Sequence, residues 1–494
     1  MIYQYKLAAR RKEENMIMAK LSNGWRTGYF RALYCLMLSG VVAMTVLSGC
    51  GADQTYTVSG KFTSGGRALS GVTVTLSGDA NMTTVTDTNG NYAFTDIARG
   101  TYIVTPTLTS YTTFIPPYRN VFLDGLDAIG FSFSRSSQGR TAAGNAHTVA
   151  LKNDGTVWAW GNNSNGQLGN GTMTSTSVPV QISGLTAVIL AAGTAHTVAL
   201  KSDGTVWAWG TNSSGQLGNG TITQSLVPLQ VGGIANVIAL AAGNAYTVAV
   251  KNDGTVWAWG DNSSGQLGNG TIIRSPVPVQ VSGMSNVIAV AAGTAHTVAL
   301  KNDGTVWTWG DNTYGQLGNG SITQSLVPLP VESLANIIAI AAGSTHTAAL
   351  RNDIIDVSIW MWGNNNDGQL GIGSTDQSLV PVQTPGLSGV TAGVSGIVAI
   401  AAGSAHTAAL MNDGTVWTWG NNSNGQLGIG NTQQSLVAVQ VSGMTNAMAV
   451  AAGSLHTLVM ENDDSVWGWG SNGNGQLGDG TTTDRLTPVE ALLP

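Results

Sequence analysis

The chain carries seven near-copies of one unit of about fifty residues, which run from His147 to the C-terminus. The steps between copies are 49, 50, 50, 50, 60 and 50 residues, and the same motif position falls at His147, His196, Tyr246, His296, His346, His406 and His456. A fixed period of this length is typical of repeat folds, in which each unit buries its apolar face against the next one. Repeat geometry therefore constrains this chain more than any single reactive residue does.

Each unit has the pattern of four β-strands. In one copy, residues 296–300 and 305–309 flank Asn302-Asp303-Gly304, and Asp-Gly between two alternating runs is a strong hairpin signal. Residues 327–331 contain prolines, which cannot donate to a ladder and so favour a sheet edge, whereas the apolar run 337–342 indicates a buried inner strand. The sequence predicts an all-β fold, a seven-bladed β-propeller of four-stranded blades over residues 140–494.

Three motifs in these units carry a family resemblance. Ala-Ala-Gly-x-x-His-Thr, Asp-Gly-x-Val-Trp-x-Trp-Gly and Gly-Gln-Leu-Gly-x-Gly resemble the regulator of chromosome condensation repeat over residues 140–491. The resemblance implies a seven-bladed β-propeller. It also implies three uses: nucleotide exchange on a small GTPase, inhibition of a secreted β-lactamase as by a bacterial member, and general protein docking.

The ends of the repeat array suggest how the ring closes. The last unit stops after its third strand, at residues 487–491, so its fourth strand is expected from residues ahead of His147. Residues 136–145 keep the Ala142-Ala143-Gly144 ending of that strand. We therefore predict that they complete the seventh blade and clasp the ring.

A smaller β-domain is predicted ahead of the ring. Short alternating strands with turn residues every eight to twelve positions over residues 56–134 predict a small antiparallel β-sandwich. Its segments 71–74, 86–94 and 97–102 resemble the carboxypeptidase regulatory-like domain, which implies a spacer or stabilising module. Residues 135–139 are polar and small, which suits a linker.

The N-terminus has the layout of a signal peptide. Lys20, Arg26 and Arg31 precede an uncharged run, residues 32–47, that is short for a membrane span of ~20 residues. The closing Leu-Ser-Gly-Cys resembles the lipobox of bacterial lipoproteins. That implies a signal peptide at 1–49, lipidation of Cys50, an anchor and linker at 50–55 and, from Gly51, the outer membrane of the bacterial envelope. An ordinary secretory signal is the alternative, and a start at Met1, Met16 or Met18 and an anchor facing periplasm or exterior all stay open.

Composition excludes several functions. Only 9 % of residues are charged and 66 are glycines, which is unlike a helical enzyme. The leader removes seven of 20 basic and two of 26 acidic residues, so the remainder holds 13 against 24, or about -11. Without a basic stripe, nucleic-acid binding is disfavoured. Both cysteines, Cys35 and Cys50, lie in or beside the leader, so no disulfide or cysteine metal site is expected beyond it.

The recurring aromatic residues admit two interpretations. The six histidines and Tyr246 could form a metal-binding ring, but Tyr in one copy favours a repeated structural hydrogen bond, and we expect no metal and no cofactor. Fourteen of 15 tryptophans form Trp-x-Trp pairs, from Trp158 and Trp160 onward. These pairs either fill the gaps between blades or form a platform for stacking sugars.

The fifth unit differs from the others by ten additional residues. Its hairpin insertion places Ile354, Ile355 and Val357 where an exposed apolar tip would contact a partner, although a tolerated surface insertion explains it equally well.

Taken together, these patterns predict a non-catalytic, extracytoplasmic propeller that binds another macromolecule. We expect a monomer that contacts the membrane through its lipid anchor alone and binds an unidentified protein. The alternatives are inhibition of an extracytoplasmic enzyme, or binding of polysaccharide or cell wall. Guanine-nucleotide exchange is disfavoured, because it needs a GTPase inside the cell, and a hydrolase would need a composite site across blades.

Overall fold

The structure is a computed structural model that describes residues 55–494, except 65–66, 69, 108–113, 116–118, 124–127, 136–139, 353–356 and 388–395. The predicted leader and Cys50 lie outside the described residues. Thr55–Pro494 forms one compact unit, and every helix or strand element within the described part is a strand. Over the same residues, no helix of a length and apolarity sufficient to cross a bilayer is found.

Two sheets near the N-terminus pack around one core. Their strands are β1 (Tyr56–Ser64), β2 (Arg67–Ala68), β3 (Thr73–Gly78), β4 (Met82–Val85), β5 (Asn91–Ile97), β6 (Gly100–Thr107), β7 (Phe114–Ile115), β8 (Arg119–Leu123) and β9 (Ala128–Arg135). One sheet has the order β2-β1-β9-β7 with β5 also paired to β1, and the other has the order β4-β3-β6-β8. Val58 and Phe94 of the first sheet share a buried cluster with Val74 and Val104 of the second.

This sandwich differs from the predicted one in a single respect. Strand β9 runs parallel to β1, with Phe62 opposite Phe133, so the first sheet is mixed and not purely antiparallel. The reason is topological, because the chain leaves the second sheet after β8 and enters the first sheet beside β1 in the same direction.

Seven four-stranded sheets follow, and each one is a blade whose strands are paired in sequence order. The strands are, blade by blade, β10 (Thr141–Ala143), β11 (His147–Leu151), β12 (Thr156–Gly161), β13 (Thr176–Thr186); β14 (Ile189–Ala192), β15 (His196–Leu200), β16 (Val206–Gly210), β17 (Ser225–Gln230); β18 (Val237–Ala242), β19 (Tyr246–Lys251), β20 (Val256–Gly260), β21 (Ser275–Gln280); β22 (Val287–Ala292), β23 (His296–Lys301), β24 (Val306–Gly310), β25 (Ser325–Pro330); β26 (Ile337–Ala342), β27 (His346–Asn352), β28 (Val357–Gly363), β29 (Ser378–Gln383); β30 (Ile397–Ala402), β31 (His406–Met411), β32 (Val416–Gly420), β33 (Ser435–Gln440); and β34 (Ala447–Ala452), β35 (His456–Glu461), β36 (Val466–Gly470), β37 (Arg485–Glu490). This architecture confirms the predicted propeller of seven four-stranded blades.

Every blade is built from one continuous stretch of chain, so the predicted clasp is wrong. Residues 141–143 form the first strand of the first blade, with Ala142 opposite Val149, and the seventh blade takes all four strands from residues 447–490. A tight turn determines which strands share a blade. The Gly144 amide donates to the His147 carbonyl at 2.9 Å, and this turn folds the Ala-Ala-Gly strand onto the strand that follows it.

The predicted hairpin and the predicted edge strand of a blade are confirmed, whereas the apolar run belongs to the next blade and not to its own. The Asp-Gly hairpin is closed by the Gly304 amide, which donates to the Lys301 carbonyl at 3.0 Å. The proline-containing strand β25 is at the outer edge of its sheet, and the apolar strand β26 begins the next blade. The Ala-Gly ends of the seven first strands surround an axial cavity of about 150 Å³.

The second tryptophan of each pair fills the gap between neighbouring blades. All seven are fully buried, namely Trp160, Trp209, Trp259, Trp309, Trp362, Trp419 and Trp469. Trp309 packs against Val248, Val250 and Leu267 of the preceding blade. Gly268 permits this contact, because a Cβ there would lie 2.7 Å from the Trp309 Nε1.

The insertion in the fifth blade lengthens a hairpin. Strands β27 and β28 continue to the pair Asn352–Val357, and Val357 is 8 % exposed in a cluster with Leu350 and Leu387. The expectation that Val357 is part of an exposed tip is therefore wrong, because the ladder continues through the pairs Arg351–Ser358 and Asn352–Val357. Ile354 and Ile355 lie outside the described residues, and their role in binding stays a prediction.

Candidate functional site

The two ends of the propeller carry different loops. Because the strands of a blade alternate in direction, the turns after the first strands and the long loops between third and fourth strands emerge on one side, which we name the loop face. The Asp-Gly hairpins between second and third strands emerge on the opposite side, the hairpin face. The loop face also bears the mouth of the axial cavity, lined there by residues such as Gly144 and Asn145.

A belt of side-chain hydrogen bonds joins all seven blades beneath the loop face. Six of the links place an imidazole Nε2 between 2.9 and 3.3 Å from a threonine Oγ1 of the next blade, in the pairs His147–Thr197, His196–Thr247, His296–Thr347, His346–Thr407, His406–Thr457 and His456–Thr148. In the seventh link, the Tyr246 hydroxyl lies 3.2 Å from the Thr297 hydroxyl and donates to the His296 carbonyl of the next blade. The belt runs through the last blade into the first and so closes the ring.

The protonation state of the belt follows from its geometry. Thr197 donates its hydroxyl hydrogen to the Gln167 carbonyl at 2.8 Å, so the His147 Nε2 must be the donor toward Thr197. Burial lowers the pKa of His147 to about 4 and that of His196 to about 3, and His147 Nδ1 has no hydrogen-bond partner. The neutral imidazole therefore acts as a cross-blade fastener. Among the described residues, no group of three His, Cys, Asp or Glu side chains is placed to hold a metal ion.

A buried asparagine, which sequence reasoning did not identify, shapes each long loop. Asn262 is fully buried, its Oδ1 accepts from the Leu267 amide at 2.9 Å, and its Nδ2 donates to the carbonyls of Thr271 and Ile273. The other six blades repeat these contacts with Asn163, Asn212, Asn312, Asn365, Asn422 and Asn472. Its recurrence three residues after the second tryptophan of each pair was the available signal.

The residue between the two clamped carbonyls is exposed in every blade, and we name it the tip residue. The tip residues are Met173, Ile222, Ile272, Ile322, Thr375, Thr432 and Thr482. The scaffold thus fixes seven identical loop backbones and presents a variable side chain on each one.

The hairpin face carries the first tryptophan of each pair, which is half-buried. A cation lies over the ring in five consecutive blades, at 5.9, 5.2, 5.8, 4.3 and 5.4 Å from the ring centre for Lys152–Trp158, Lys201–Trp207, Lys251–Trp257, Lys301–Trp307 and Arg351–Trp360. Between the first two blades, Lys201 and Trp207 line a groove of about 320 Å³ together with Asn170 and Gln181.

A ring of seven four-stranded blades, closed by a buried hydrogen-bonded belt, defines this region as a β-propeller. The RCC1-like domain family matches residues 133–355 and 181–493, and the chain belongs to this family. The resemblance drawn from the repeat motifs is thereby confirmed. Residues 56–119 match the SdrD B-like domain family, so the resemblance of this part to the carboxypeptidase regulatory-like domain stays a prediction.

The curated relatives match this chain over one or two units. The ultraviolet-B receptor UVR8 of Arabidopsis thaliana is 41% identical over 81 residues, 16% of this chain and 17% of that protein. The protein RCC2 homolog of Danio rerio is 44% identical over 80 residues, 16% of this chain and 15% of that protein. The human E3 ubiquitin-protein ligase HERC2 is 41% identical over 75 residues, 15% of this chain and 1% of that protein. The chain therefore spans only a small part of the length of each.

Solved structures match the propeller as a whole. Prp20p of Saccharomyces cerevisiae, described with its binding properties to Gsp1p and histones, has a TM-score of 0.62 at 24% identity and covers 69% of this chain and 87% of its own. The structure of Kap60 bound to yeast RCC1 (Prp20) gives 0.60 at 25% identity, with 68% and 83% covered. Human WBSCR16 gives 0.59 at 25% identity, with 69% and 92% covered. The RCC1-like propeller is thus a fold that supports protein interaction.

Proposed function

We propose that this protein is a non-catalytic, lipid-anchored propeller that binds a partner protein outside the cytoplasm. The observation that carries the proposal is that each unit combines repeated buried residues with a variable exposed residue. Buried His, Trp, Asn and Gln positions repeat in nearly every blade and hold the ring together, whereas exposed tip residues on the clamped loops vary. A stiff scaffold that presents variable side chains suits recognition of another macromolecule.

Binding is best tested by site-specific crosslinking in the native envelope. A photoreactive benzoylphenylalanine placed at Ile222 on the loop face, and in a separate protein at Asn252 on the hairpin face, should give a protein adduct from at least one face. Mass spectrometry of the adduct identifies the partner and shows whether it is an enzyme that the propeller inhibits. The absence of a protein adduct from a panel covering both faces would overturn the proposal.

The anchor is tested separately. Cys50→Ser should abolish metabolic labelling with palmitate and move the protein from the membrane fraction to the soluble fraction. Density separation of inner and outer membranes then tests the outer-membrane assignment that Gly51 suggests. An unlabelled wild-type protein, or C50S protein still in the membrane fraction, would contradict lipid anchoring at this residue.

Polysaccharide binding is a second candidate, and the groove between the first two blades favours it. An indole ring with an adjacent ammonium group and amide side chains is a chemistry that binds sugars through stacking and hydrogen bonds. Trp207→Ala should then reduce retention on insoluble peptidoglycan, whereas Trp417→Ala, in a blade where Met411 replaces the lysine, should have a smaller effect. Equal retention of both variants and of the wild type would reject this candidate.

A further inference from the structure

The tip residues break the symmetry of the ring in a sector of consecutive blades. Blades one to four carry large apolar tips, Met173, Ile222, Ile272 and Ile322, which are 51%, 54%, 57% and 59% exposed. In blade three the next residue, Ile273, is 71% exposed. Blades five to seven carry threonine at the tip position, at Thr375, Thr432 and Thr482. We name the five apolar residues the apolar arc.

The fold does not require these apolar side chains. In each blade, with or without an apolar tip, the clamping asparagine donates to the carbonyls on both sides of the tip residue. Asn262 does so around Ile272, and Asn422 does so around Thr432, with all four bonds between 2.9 and 3.1 Å. An exposed apolar side chain on a loop gains nothing from packing, so the repetition of such side chains in four neighbouring blades is explained by binding and not by the stability of the fold.

The members of the arc lie on loops that touch one another. The Gln224 amide of blade two approaches the Met173 sulfur of blade one at 3.9 Å, and the Arg274 guanidinium of blade three donates to the Ser213 carbonyl of blade two at 3.0 Å. The loop of blade three also reaches blade four, because the Gly270 amide donates to the Leu326 carbonyl at 2.9 Å. The apolar tips are therefore carried by four blades that are linked in succession on the loop face.

The charges around the arc indicate the chemistry of its partner. The long loops carry six aspartates, Asp261, Asp311, Asp367, Asp376, Asp479 and Asp484, against one arginine, Arg274, and Arg485 begins the strand after the last loop. Arg485 is paired with Asp479 at 2.6 Å, and Arg274 is bonded to a carbonyl. Asp261 and Asp311 begin the loops of blades three and four, which carry the apolar tips Ile272 and Ile322. The loop face is thus apolar in one sector and acidic overall.

We propose that the apolar arc docks an amphipathic, basic segment of a partner protein, with its apolar side chains against Met173, Ile222, Ile272, Ile273 and Ile322 and its Lys or Arg side chains toward the loop aspartates. This inference rests on the proposed protein-binding function and adds the face, the sector and the chemistry of the ligand. Complementary charge around an apolar centre is the arrangement expected of a specific interface.

The direct test uses the purified full chain and a defined probe. The probe is an amphipathic Leu/Lys peptide of about 18 residues, labelled for fluorescence anisotropy, and its comparison peptides are a scrambled Leu/Lys sequence and an amphipathic Leu/Glu sequence. We expect the amphipathic Leu/Lys peptide to bind about tenfold or more tightly than both comparison peptides, and more weakly as salt rises from roughly 0.05 to 0.3 M. Equal binding of all three peptides would overturn the proposal.

Matched variants assign the binding to the arc. M173T/I222T/I272T/I322T introduces the residue that blades five to seven already carry, so its melting temperature should stay unchanged while peptide affinity falls about tenfold or more. The control V227T/V277T/V327T removes similarly exposed apolar side chains from the outer strands and should leave affinity unchanged. Equal affinity of the arc variant and the wild type would overturn the proposal.

Two further measurements separate this inference from its alternatives. If vesicles of phosphatidylglycerol and phosphatidylcholine bind the wild type but not the arc variant, and the peptide binds neither, the arc is a membrane contact and the proposal is wrong. If an arc variant still forms the native envelope adduct at full yield, the arc proposal fails while the protein-binding function stands. If no protein adduct forms anywhere, the protein-binding function itself fails.

Discussion

His456 in the last blade and Thr148 in the first blade are joined by a hydrogen bond of 3.3 Å between the imidazole Nε2 and the hydroxyl Oγ1. Thr148 also donates to the Gln476 carbonyl at 2.7 Å, and Trp160 Nε1 donates to the same oxygen at 2.9 Å. These contacts repeat those of the other blade junctions, except that Tyr246 takes the place of the histidine between blades three and four. This junction, however, is the one that no peptide connection spans, so non-covalent contacts alone hold it, among them the backbone hydrogen bonds from Ser454 to Gly144 and from Gly480 to Ser177.

Thr148→Val should weaken the closing junction. The substitution keeps the shape of the side chain but leaves His456 and Gln476 without their hydroxyl partner, which should lower the free energy of unfolding by about 1–3 kcal/mol. Thr247→Val removes the same two bonds inside the ring and should cost a similar amount. Hydrogen exchange should distinguish the two, since only T148V should accelerate amide exchange in β10 and β36; equal exchange there in both variants would contradict this account.

Asp464→Asn should destabilise the same junction through a contact that is particular to it. Asp464 Oδ1 lies 2.8 Å from the Arg140 guanidinium, both side chains are largely buried, and the Asn153 amide donates to Asp464 Oδ2 at 2.9 Å. Loss of this charge should lower stability by about 1–2 kcal/mol in denaturant titrations, with a smaller effect at high salt. Asp413→Asn, in an exposed turn, should change stability by less than about 0.5 kcal/mol. An equally large effect of D413N would rule out a special role for the pair.

Acid should unfold the propeller well above the pH at which ordinary carboxylates titrate. Burial holds the pKa of the six histidines at about 3 to 4 in the fold, against 6.5 when they are exposed. The unfolded chain therefore binds more protons between these values. Stability is fully present above pH 6.5 and falls below it by up to about 1.4 kcal/mol per histidine and pH unit.

The measurement is the free energy of unfolding between pH 7 and pH 5. His346→Tyr is the matched variant, because Tyr246 already fills this position in the third blade. It should reduce the dependence of the unfolding free energy on pH by the contribution of one of the six histidines. A free energy that does not change across this range would show that the imidazoles take no part in acid unfolding.

Asn262→Ala should destabilise the loop that carries Ile272. The change removes the bonds to Leu267, Thr271 and Ile273 from a fully buried position, and we expect a loss of about 2–4 kcal/mol with faster proteolysis of the loop. Asn302→Ala, on an exposed hairpin, is the control and should be nearly neutral. A loop that keeps its protease resistance in N262A would mean that the clamp is dispensable.

The sequence predicted the four strands of a blade but not the point in the repeat at which each blade begins. The Asp-Gly turn between Lys301 and Thr305 and the prolines of β25 identify three strands, because turn conformation and missing donors are local properties. A perfect repeat, however, looks the same wherever it is cut, and the Ala-Ala-Gly strand adjoins both the preceding and the following strand. The hydrogen bond from Gly144 to His147 decides the matter, and it became visible only in three dimensions.

Side chains were harder to assign than strands. A histidine that recurs at the position of His147 is compatible with metal binding and with a structural hydrogen bond. The hydrogen bond to Thr197 in the next blade identifies the structural role. Val357 was expected at a tip because its insertion looked like a loop, whereas backbone pairing extended the hairpin and buried it. The apolar arc could be identified only from the exposed fractions of the tip residues together with a comparison of the seven equivalent loops.

The junction between the first and last blades allows the order of the blades along the chain to be permuted. Lys152 of the first blade contacts the carbonyl of Pro494, so the end of the propeller chain lies beside its beginning. Since no strand is exchanged there, the fold of the ring does not depend on which blade comes first in the chain. A circular permutant that joins these ends and opens at any other junction would keep every blade intact.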